Sequence, residues 1–146
     1  MTLEEAKRFY FDYLGLSFHM DREEPVKYNS FKMLGIEKET LRQWDEELHE
    51  KLFEELKSGS ERSWAAHGNI IKVIGRGNCN VRVNLCRLLD ETEHMDSLEP
   101  GALARVIENM EGRTESGKDG GIYLFRSYPE LADRMESIME RLRAVL

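Results

Sequence analysis

Apolar residues recur every three or four positions through most of this chain, a rhythm that predicts amphipathic helices. The clearest stretch follows Thr40, where Leu41, Trp44, Leu48, Leu52 and Leu56 form an apolar stripe on a charged cylinder, with Gly59 placed to stop it. The last segment repeats the pattern with Leu131, Met135, Ile138, Leu142 and Val145. It is entered through Pro129, whose missing amide costs nothing in a first turn. Leu103, Val106, Ile107 and Met110 mark another helix, with Asp96 or Ser97 as its cap and Pro100 in its first turn. Residues 3–14 read as a helix closed by Gly15. Three capping boxes support these starts: Thr2 with Glu5, Thr40 with Gln43, and Ser127 with Glu130.

Two regions carry a weaker rhythm. Residues 16–38, interrupted by Pro25, read as an irregular connection holding one short helix near Phe31 and Leu34. In the middle, Trp64, His67, Ile71 and Ile74 share a helical face, Gly75 is a stop, and Asn80 can cap a second helix carrying Val81, Leu85, Leu88 and Leu89. The rival for residues 70–85 is a β-hairpin, because Ile70 to Ile74 is β-branched and Val81, Val83 and Leu85 alternate with polar residues. Ile122 to Phe125 is a short apolar run that suits a lone strand or a buried lead-in to the final helix. The expected fold is all-α, one domain over residues 1–146 built as an irregular bundle of five to six helices. An α+β variant with a small hairpin at 70–85 is the alternative.

A chain of 146 residues and 17.1 kDa is long enough to bury one core without disulfides or metals. Hydrophobic residues at 40% and charged residues at 34% exclude disordered and membrane-spanning classes. The first turn carries Glu4 and Glu5 where a secretory leader would be basic, so a cytoplasmic location is expected. Cys79 and Cys86 are seven apart, which fits neither a redox pair nor a zinc knuckle, so both are expected as reduced thiols.

Net charge refines this picture. The formal charge is −7, yet residues 62–89 contain no Asp or Glu while Arg62, Lys72, Arg76, Arg82 and Arg87 give +5, leaving −12 on the remainder. Either this segment is the interior of the fold, where apolar residues displaced the acids, or it faces a polyanion. In the second case Lys72, Arg76, Arg82 and Arg87 would contact nucleic acid.

Candidate chemistry changes less. The segment from Gly112 to Asp119 comes close to G-x-x-x-x-G-K-[ST], but Asp119 replaces the metal-holding hydroxyl and the loop follows a helix instead of a strand. A solvated loop is expected there. Glu46 with His49 and Glu91 with His94 have the spacing of di-iron bundle ligands, yet Glu46 and His94 point away from their helices' apolar stripes, so neither a metal nor a cofactor is expected. Read as the turn of a helix, turn, helix, the cluster from Gly75 to Asn80 poses the question of DNA binding. The second helix ends in Asp90, Glu91 and Glu93, which repel phosphates and argue against it.

Arg62-Ser63-Trp64-Ala65-Ala66-His67 resembles the R-x(4–6)-H signature of the HEPN ribonuclease superfamily. The resemblance covers six residues, and Ser63 stands where that family commonly has Asn, Asp or His. It implies a helical bundle whose dimer places the pair in a cleft, with His67 in acid/base chemistry and Arg62 holding phosphate. The plain alternative is that His67, at the centre of an apolar face, is a hydrogen-bonded core residue.

The leading functional expectation is a non-enzymatic protein-interaction or regulatory domain, acting on a protein partner or on a second copy of itself. Phe9, Tyr10, Phe11 and Tyr13 are its expected interface, since Phe11 points away from Phe9 and Tyr13 and something must cover both sides of the first helix. An RNA-binding or RNA-cleaving domain using Arg62 and His67 is the alternative.

Overall fold

The computed structural model describes residues 1–58, 63–76, 79–112 and 120–146. Among them it is all-α: nine α-helices, one 3-10 turn and no strand. In chain order these are α1 (Leu3–Asp12), α2 (Ser17–Glu23), α3 (Pro25–Met33), α4 (Lys38–Lys57), α5 (Ser63–Gly75), α6 (Val81–Thr92), a 3-10 turn (Met95–Ser97), α7 (Pro100–Glu111), α8 (Gly121–Phe125) and α9 (Pro129–Val145). The stop assigned to Gly59, the Arg62 half of the Arg–His pair and residues 113–119 of the glycine-rich loop lie outside the described residues. No described helix is long and apolar enough to cross a membrane.

The hairpin alternative at 70–85 is overturned, because residues on both sides of its turn are helical. The Asn80 side chain accepts from the Val83 amide at 3.1 Å, so this residue opens α6 as its capping chemistry predicts. Ile122 to Phe125 is helical as well. Residues 16–38 hold two helices, since Pro25 occupies the first turn of α3 and starts that helix instead of breaking one. Of the three capping boxes, Thr2 alone caps, accepting from the Glu5 amide at 3.1 Å. Thr40 lies inside α4, which begins at Lys38, and α9 begins after Tyr128 with no side-chain cap. Glu99, not Asp96 or Ser97, caps α7 by accepting from the Gly101 amide. Helix α1 ends at Asp12, short of Gly15, because the chain turns left-handed already at Leu14 (φ 54°).

The helices fall into two compact units, Met1–Glu50 and Lys51–Leu146, divided within α4. In the first, Ala6, Phe9 and Tyr10 of α1, Met20 of α2 and Trp44 of α4 form a buried cluster. Phe31 of α3 joins it, 5.9 Å from Phe9 and stacked at 6.1 Å on Tyr10. The Tyr13 hydroxyl donates to Glu24 at 2.7 Å and Lys7 pairs with Glu47 at 2.5 Å, which ties α1 to the start of α3 and to α4.

In the second unit the core runs through the stripes read from the sequence: Ile70, Ile71, Val73 and Ile74 of α5, Leu85, Leu88 and Leu89 of α6, and Leu103, Val106, Ile107 and Met110 of α7. Leu131, Met135, Ile138 and Leu142 of α9 complete it, whereas Val145 is exposed at the end of the helix. The chain re-enters this core at Gly120, where a Cβ would stand 2.6 Å from the Gly112 amide nitrogen and 2.7 Å from the Glu111 carbonyl carbon, so only glycine lets the two backbones approach.

Candidate functional site

His67 sits on the inner face of α5 with 0% of its surface exposed. Two neighbouring helices supply its partners. Thr92 of α6 donates its hydroxyl to the Leu88 carbonyl at 2.6 Å, so the same oxygen accepts from His67 Nε2 at 3.1 Å. That fixes the Nε2–H tautomer and leaves Nδ1 as an acceptor, approached at 3.5 Å by the Asn109 amide of α7. Asn109 is itself held by donating to the Trp64 carbonyl at 2.8 Å. Burial disfavours the imidazolium and pushes the His67 pKa down to about 4. The ring is therefore neutral at pH 7, bonded at both nitrogens and closed to solvent. A general base for RNA must reach a ribose hydroxyl, and a ring in this position reaches none.

The basic side chains of the acid-free segment have separate surroundings. Arg82 pairs with Glu130 of α9 at 2.7 Å. The Arg87 guanidinium lies 4.0 Å from the centre of the Phe53 ring, and Arg76 is half-buried after α5. Lys72 is exposed and lines a cleft between α5 and α7. Glu46 is exposed and paired with Arg42, and no group of three or more potential metal ligands occurs among the described residues.

The four aromatics expected as an interface on α1 differ in burial. Phe9 and Tyr10 are core residues, while Phe11 and Tyr13 are half-buried against the same cluster. Phe31 of α3 and Trp44 of α4 pack on these residues within this unit.

Exposed apolar surface lies elsewhere. Val26 and Met33 of α3 are 82% and 80% exposed, and Phe18 of α2 is 70% exposed. At about 100° per residue, Val26 and Met33 fall roughly 20° apart on one side of α3, with Tyr28 and Phe31 on the other side. Tyr28 and Phe31 pack on the core cluster, so the Val26–Met33 side points outward. The exposed Ser30 and Asn29 flank that side at about +40° and −60° from Val26, and the exposed Lys27 and Lys32 lie beyond them at about +100° and −120°. Their ammonium groups lie over aromatic rings, Lys27 Nζ 5.1 Å from the centre of Phe9 and Lys32 Nζ 4.9 Å from that of Tyr28. No Asp or Glu occurs within α3. Sequence reasoning missed this face because it placed a helix only near Phe31 and Leu34 and read the residues around Pro25 as irregular. The usable signal was the pairing of Pro25 with apolar residues on two opposite helical sides.

No protein-family model, curated protein or solved structure matches the chain.

Proposed function

We propose that the protein is a protein-interaction domain that docks an amphipathic helical segment of another protein on the outer side of α3. One observation carries this: a nine-residue helix presents Val26 and Met33 to solvent while its opposite side already packs on the core. Large apolar side chains left this exposed on a short helix gain free energy when a partner removes them from water, at about 25 cal/mol per Å2.

Charge selects the partner. The charged residues within α3 are Lys27 and Lys32, outside the polar Asn29 and Ser30 that flank the apolar strip, so a matching segment carries an apolar stripe with carboxylates on its outer flanks. Pairing α3 with a second copy of itself, parallel or antiparallel, would bring only lysines together as charged groups. A foreign acidic segment is therefore favoured over a homodimer. The RNA alternative gains nothing from His67, which is sealed.

Two synthetic helical peptides test this by calorimetry against the whole protein. Both carry leucines at i, i+3, i+4 and i+7, one edged with Glu and its twin edged with Lys. The Glu-edged peptide is expected to bind, to weaken with added salt, and to lose binding to Met33→Asp. Lys27→Glu with Lys32→Glu should transfer the preference to the Lys-edged peptide. Absence of binding, or equal binding of the two peptides, overturns the proposal. So does a dimer in sedimentation that Met33→Asp converts to monomer, which would assign the strip to self-association.

A further inference from the structure

Thioether sulfur is unevenly exposed in this chain. Of its seven methionines, Met33 is 80% exposed and Met1 37%, while Met20, Met95, Met110, Met135 and Met139 are each no more than 6% exposed. An oxidant must reach the sulfur to react with it, so exposure sets the order in which methionines oxidise. Met33 also lies beside Val26 on the side of α3 that faces away from the Phe9 and Tyr10 cluster. The most accessible thioether is therefore one of the two large apolar side chains of the docking strip.

Oxidation changes this side chain in kind. The Met33 sulfur attacks one oxygen of a peroxide; an S–O bond forms, the O–O bond breaks, and the leaving hydroxide takes the remaining proton and departs as water. Sulfur gives up an electron pair and the peroxide accepts it. A flexible apolar arm becomes a polar one, whose S–O dipole must be stripped of water when a partner covers the strip. One turn back, the Asn29 side-chain nitrogen lies 4.0 Å from the Met33 sulfur, which gives the new oxygen a donor in the free protein. The core is spared, because Tyr28 and Phe31 on the opposite side carry the packing of α3.

We infer that Met33 is a redox-modification site: its oxidation to the sulfoxide by a peroxide releases the partner of α3, and thiol-driven reduction through a methionine sulfoxide reductase restores docking. In the return step two thiols join as a disulfide and the sulfoxide oxygen leaves as water. This inference rests on the docking reading of α3 given above. Lys27 and Lys32 keep their charges throughout, so the modification weakens the apolar contact and leaves the preference for acidic segments in place.

The whole protein, treated with limiting hydrogen peroxide, is mapped by peptide mass spectrometry and titrated by calorimetry with the Glu-edged helical peptide. Met33 is expected to gain one oxygen before any of the five buried methionines. Binding should weaken by about tenfold or more while the thermal melt stays in place. Methionine sulfoxide reductase with dithiothreitol should restore it. Met33→Leu should bind the peptide and keep binding after the same treatment, which separates this sulfur from Met1 and from the half-buried Cys79 and Cys86. Failure of the untreated protein to bind overturns the docking reading and the switch with it. Binding that survives full oxidation of Met33, oxidation of Met33 no earlier than of the buried methionines, an equal loss in treated Met33→Leu, or no recovery on reduction overturns the switch alone.

Discussion

The Tyr10 hydroxyl donates to Asp45 Oδ1 at 2.6 Å, joining α1 to α4 through two buried side chains 35 residues apart. Tyr10→Phe keeps the ring stacked on Phe31 but takes a donor from a buried carboxylate. We expect a loss of about 1–3 kcal/mol, measured by urea unfolding at pH 7. Asp45→Asn in the Tyr10→Phe background should recover part of it, because the residual group is then uncharged. Additive losses would show that the two side chains do not act as a pair.

His67 predicts a pH dependence with a defined sign. Its pKa in the fold is about 4, below the ordinary 6.5, so the unfolded chain takes up this proton first. The stability contributed by keeping the ring neutral is complete above pH 6.5 and is lost as pH falls toward 4, by about 3 kcal/mol in all. The difference between wild type and His67→Gln, followed by denaturant unfolding from pH 7 to 4, should show this slope. Imidazole NMR should find the ring still neutral at pH 5.5. An imidazole that titrates near 6.5 in the folded protein contradicts the burial described above.

Gly68→Ala should weaken the packing of α5 on α7. The added methyl meets the Asn109 amide at 3.1 Å, and that amide cannot withdraw without stretching its bond to the Trp64 carbonyl. A loss of about 1–3 kcal/mol is expected in thermal unfolding. Asn109→Ala in the same chain should relieve the steric part.

The two sides of α3 should respond oppositely to charge. Met33→Asp and Val26→Asp, at strongly exposed positions, should alter stability by no more than about 0.5 kcal/mol. Phe31→Asp, placed between the Phe9, Tyr10 and Tyr28 rings, should destabilise by several times that amount, since it leaves a charge in an aromatic cluster. Circular dichroism melts of the three variants separate the faces.

The long stripes were legible because each is a local pattern that needs no partner to be recognised. Leu48, Leu52, Leu85, Leu88, Leu103, Val106, Met135 and Ile138 are all buried where the 3.6-residue period put them. Short helices were not: α2 and α3 span seven and nine residues, too few for a period to emerge, and Pro25 reads equally as a breaker and as a first turn. Capping boxes misled at Thr40 and Ser127, because α4 begins two residues upstream of its signal and α9 begins at Pro129, after Tyr128. At His67 the apolar setting was readable, and so was the bland reading of a core histidine. Its partners were not, since Thr92 and Asn109 lie 25 and 42 residues away with nothing local to mark them.

The two compact units hold one tryptophan each, Trp44 buried in the first and Trp64 half-buried beside Arg105 in the second. The protein is therefore already labelled for optical work. Indole emission from Trp64→Phe reports the first unit alone, and from Trp44→Phe the second. Coincident midpoints for the two single-tryptophan proteins would mean that one cooperative transition melts both halves, and separated midpoints would give each half its own folding equilibrium.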